Sequence, residues 1–62
     1  MDRETFKQII RETEEREGIA ASRTLALDAL LNFTKSGGYF HLNEEDQMRY
    51  AVLRQYLISV QL

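Results

Sequence analysis

The chain has 62 residues, with 8 Lys and Arg against 10 Asp and Glu, one His, and no Cys, Pro or Trp. That composition excludes disulfide staples and thiolate metal sites, and a formal charge of −2 lacks the basic excess that nucleic-acid binding domains carry. A domain of about 60 residues buries only about 60% of the surface its unfolded chain exposes, so the staples left open are good helix packing and a partner chain.

Residues 1–62 read as a single all-α domain of three helices, about 2–17, 20–35 and 43–61, divided by glycines at 18, 37 and 38. Glycine is the favoured residue just past a helix end. Asp2 is placed to cap the first helix, with Glu4 near its positive end. Phe6, Ile9, Ile10 and Thr13 form a narrow apolar stripe at helical spacing, and Glu12 and Arg16 stand in the favourable i,i+4 order. Glu12, Glu14, Glu15 and Glu17 crowd the end where the helix dipole disfavours negative charge. They form an acidic surface for a basic partner, or a solvated face.

The second segment is apolar on most sides. Leu25, Ala26, Leu27, Ala29, Leu30, Leu31 and Phe33 cover more than half of its circumference, which predicts a central helix with neighbours all round. Lys35 and the two glycines beyond it form a stop signal. In the connection that follows, Tyr39, Phe40 and Leu42 are expected to drop one or two side chains onto the helices, with Phe40 and Tyr56 as core plugs. Tyr39 and Phe40 are also candidate binding anchors.

The third segment opens on Asn43, a top-ranked cap, followed by Glu44, Glu45 and Asp46 in the first turn. Asp46 makes a near-match to a capping box. Met48, Val52, Leu53, Tyr56, Leu57 and Val60 form its main apolar face. Ala51, Ile58 and Leu62 form a second stripe at i, i+7 and i+11. Two short helices do not cover both sides of such a rod, so the second stripe, together with Leu27 and Leu31, predicts a symmetric dimer or another protein partner.

Catalysis is not expected. Ser22 and Ser36 have no suggestively spaced His, there is no Cys nucleophile, and the paired glycines follow a helix rather than precede one. His41 before three carboxylates matches no metal-ligand spacing, and no cofactor is expected. No apolar run approaches the roughly 18–20 residues of a membrane span, and the cytoplasm is the expected location.

The stretch Ala21-Ser22-Arg23-Thr24-Leu25-Ala26-Leu27-Asp28-Ala29-Leu30 resembles the recognition helix of bacterial helix-turn-helix repressors. The resemblance implies that Ser22, Arg23 and Thr24 reach base edges. Against it, Leu27 and Leu31 would face a groove, and the acidic run ending at Glu17 would lie beside phosphate. The leading expectation is therefore a non-enzymatic protein–protein interaction module: an inhibitor, adaptor or accessory subunit acting through an apolar helix face. A small DNA-binding regulator is the alternative.

Overall fold

A computed structural model describes residues 1–35 and 37–60. Three α-helices form within them: α1 at Arg3–Glu17, α2 at Ile19–Lys35 and α3 at Glu44–Ser59, with one 3-10 turn at Tyr39–His41 before α3. The caps act as their residue types predict. An Asp2 carboxylate oxygen accepts the Thr5 amide at 2.7 Å, and hydrogen bonds from the Thr5 side chain and amide hold that carboxyl below its usual value. Asn43 Oδ1 accepts the Asp46 amide at 2.8 Å. The Asp46 carboxylate turns to Arg49 at 3.2 Å, and Arg49 also reaches Glu45 at 2.9 Å. The Met1 amino group lies 2.9 Å from the same Glu45 oxygen. Its hydrogen bond, and then the charge of Arg49, pull the Glu45 carboxyl down.

Gly18 ends one helix and begins the next. Its amide donates to the Glu14 carbonyl at 2.9 Å, and its carbonyl accepts the Ser22 amide at 3.0 Å. Its φ of 92° and ψ of 160° lie in a region essentially confined to glycine. Since α1 and α2 share this single-residue joint, the acidic end of α1 lies next to the positive end of α2. The first turn of α2 carries no acidic residue of its own. The neighbouring dipole offsets what looked in the sequence like an uncompensated local cost.

Contacts distant in sequence fix the topology. Arg49 sits 6.0 Å from the centre of the Phe6 ring, and Glu14 bonds Tyr56, so α1 and α3 run parallel. Tyr56 also bonds Ser22, and the rings of Phe33 and Tyr50 lie 6.5 Å apart, so α2 runs antiparallel to α3. The result is an up-down-up bundle of 31 × 22 × 16 Å. Its buried centre is Ala26, Val52 and Leu53. Phe6 and Ile10 of α1, Leu30 and Phe33 of α2, and Met48 and Leu57 of α3 are half-buried around it.

Three expectations are corrected. The second helix is not surrounded: Leu25, Leu27 and Leu31 remain 54%, 49% and 50% exposed. Each helix of a three-helix bundle meets only two neighbours, so a helix apolar on most sides must leave one side open. Phe40 is not a core plug. It is 90% exposed, its ring edge-on to Tyr39, while Tyr39 packs against Tyr50 at 5.4 Å and Leu42 is half-buried. The described part of the third helix runs to Ser59, within two residues of the expected end, and the Ser59 hydroxyl and the Val60 amide both donate to the Tyr56 carbonyl; residue 61 itself lies outside the described residues. Glu12 is not paired with Arg16; it accepts from Gln8, and Arg16 meets Glu17 at 3.2 Å.

Candidate functional site

All three helices converge on one polar contact. The Tyr56 hydroxyl of α3 lies 2.8 Å from Glu14 Oε2 of α1 and 2.9 Å from Ser22 Oγ of α2. A phenol has one proton to give; with Glu14 as its acceptor, the Ser22 hydroxyl completes the set by donating to the phenol oxygen. Burial is the main cause pushing the Tyr56 hydroxyl pKa up. Among the described residues no buried side-chain nitrogen or oxygen is left without a partner. Structural cohesion is what this node supplies, since it ties each helix to the other two.

The acidic surface divides accordingly. Glu14 turns inward to Tyr56, while Glu12, Glu15 and Glu17 are exposed. The residues suggested for reading DNA divide as well. Ser22 is 3% exposed and bonded to Tyr56, so its hydroxyl cannot reach a base edge; Arg23 and Thr24 are exposed, and the Thr24 hydroxyl donates to the Ala20 carbonyl. The link between α1 and α2 is also one residue, where a helix-turn-helix uses a turn of about three or four.

The residues suggested for protein contact fall on different faces. Leu27 and Leu31 stand one turn apart on the open side of α2. Ile58 is 56% exposed on the back of α3. Tyr39 and Phe40 form an aromatic pair on the turn before α3. Ala51 stands two turns before Ile58 on the same face of α3, but it is half-buried and lines a groove between α1 and α3. Leu62 lies outside the described residues.

That groove has a volume of about 730 Å³. Arg3, Lys7 and Arg11 form its α1 wall, with Ile10 at its base and Glu14 at its far end. Ala51, Gln55 and Ser59 form the α3 wall, above Val52, Tyr56 and Val60. Sequence reading missed these cations. Their i, i+4, i+8 spacing is a usable signal, but the acidic residues of the last two turns of α1 outnumber them and mask it in the net charge.

No protein-family model, curated protein or solved structure matches this chain. Fold and surface define the class as a small up-down-up three-helix domain.

Proposed function

We propose that this chain is a non-enzymatic protein–protein interaction module, acting as an inhibitor, adaptor or accessory subunit, and that it first pairs with a second copy of itself through the open side of α2. The observation that carries this reading is the exposure of Leu27 and Leu31 on consecutive turns of a helix whose composition calls for neighbours on most sides. A core whose buried apolar residues, among those described, are Ala26, Val52 and Leu53 also supports it. Such a core supplies little stability alone, and association is the remaining staple. Ile58 and the 90% exposed Phe40 extend the apolar surface available to a partner.

Light scattering at micromolar concentration tests the pairing. The expected mass is twice 7.3 kDa. Leu27→Glu and Leu31→Glu, each at a solvent-facing position, should return the mass to that of one chain while the helical circular dichroism is kept. A single-chain mass for the unaltered protein across the micromolar range would overturn self-association.

A further inference from the structure

We propose that the groove between α1 and α3 receives an acidic amphipathic helix from a partner protein. Charge complementarity identifies the occupant. Arg3, Lys7 and Arg11 line one wall at successive turns, a rail of about 12 Å along the helix. Among the described residues that line the groove, one carboxylate stands against these three cations, Glu14, and that group is engaged by the Tyr56 hydroxyl. Lys7 also meets Glu4 at 3.8 Å, but both side chains are largely exposed, so the pair is easily exchanged for a partner's carboxylate.

The opposite wall is shaped for a helix. Ala51, Gln55 and Ser59 follow the same i, i+4, i+8 spacing, and two of the three are small, so a third backbone can approach closely. Ile10, Val52 and Val60 supply the apolar floor. Because α1 and α3 run parallel, a helix laid between them contacts both walls along two turns, with apolar residues down and carboxylates toward the cation rail.

A second copy of this chain offers less of that combination: beside the exposed acidic residues of its α1, Ile9 is the single exposed large apolar side chain of that helix, and Arg16 interrupts the run. The groove also lies across the bundle from the open side of α2, so the occupant is independent of the self-association proposed above.

Fluorescence anisotropy with a labelled helical peptide of about 14 residues, roughly 21 Å long, tests the proposal. One peptide carries a leucine stripe flanked by glutamates; its counterpart carries lysines in their place. At low salt the acidic peptide should bind at least about tenfold more tightly than the basic one. The Lys7→Glu, Arg11→Glu double variant should lose about tenfold for the acidic peptide. High salt should weaken the acidic peptide's binding, and amide shift changes should centre on Ala51, Gln55 and Ser59. Equal binding of the two peptides, no binding, indifference to the double variant, or shifts centred on Leu27 and Leu31 would each overturn it. Light scattering on the same double variant separates the two readings. An altered self-association there would make the groove the seat of a second copy and sink the acidic-helix assignment.

Discussion

Tyr56 shows how much of this small bundle rests on one side chain. Its hydroxyl satisfies the buried Ser22 and the half-buried Glu14 together, so Tyr56→Phe strips a partner from both. Leaving such groups unsatisfied costs about 1–2 kcal/mol, and in a domain of this size each kcal/mol lowers the melting temperature by about 4–8 °C. Thermal unfolding followed by circular dichroism should show that drop. A double-mutant cycle with Ser22→Ala should return a coupling between the two positions. The same residue sets an alkaline limit. Its pKa is raised in the folded protein, so the folded state holds the phenolic proton more tightly than the unfolded chain does. That stability is intact below the ordinary tyrosine value of about 10 and is lost as pH rises through the folded value. Urea unfolding in a pH series should show a decline that Tyr56→Phe lacks. The sequence places Tyr56 on the core face of its helix, because period and hydrophobicity are local. It gives no reason for Glu14 at the disfavoured end of α1. The reason is a hydroxyl 42 positions away, which no local pattern encodes.

At the scale of elements, the helix starts were the most legible feature, since a cap is chemistry between residues two or three apart. Asp2 and Asn43 sit where their side chains demand. Helix ends were as legible where a glycine signals them: α1 and α2 stop at Glu17 and Lys35, where the glycines at 18, 37 and 38 put them. At the end of α3 no glycine stands in the sequence, and the Ser59 hydroxyl bonds back to the Tyr56 carbonyl, a contact that occurs within helices as well as at their ends. The break between α1 and α2 tests the physical reading directly. A Cβ at Gly18 would meet nothing within 4 Å, so replacement creates no clash. The backbone is the whole cost. At a φ of 92° and a ψ of 160°, Gly18→Ala should destabilise by about 1–3 kcal/mol, outweighing the alanine's gain of about 0.5–1 kcal/mol from a stiffer unfolded chain. A melting temperature unchanged in Gly18→Ala would mean the joint rearranges. Gly37 differs: a Cβ there would stand 3.2 Å from the His41 ring, so side-chain packing adds to the backbone strain.

For the whole molecule, helix number and order follow from glycine placement and period, and so were readable. How many neighbours each helix meets was not. A helical wheel shows that α2 is apolar nearly all round, but whether those residues are covered depends on how many helices the chain can bring to it, and two leave Leu27 and Leu31 open. The cation-lined groove was hidden for a related reason, because it exists only once α1 and α3 lie side by side. The single-residue joint at Gly18 also bears on how fast this molecule folds. Bringing α1 and α2 together closes almost no loop and sacrifices little chain entropy, whereas α3 must arrive over a longer connection. The α1–α2 hairpin is therefore the expected nucleus, with folding in the microsecond-to-millisecond range of locally connected helical bundles. Inserting two glycines beside Gly18 should slow refolding and leave unfolding nearly unchanged in relaxation experiments. The opposite pattern would move the nucleus to the pairing of α2 with α3.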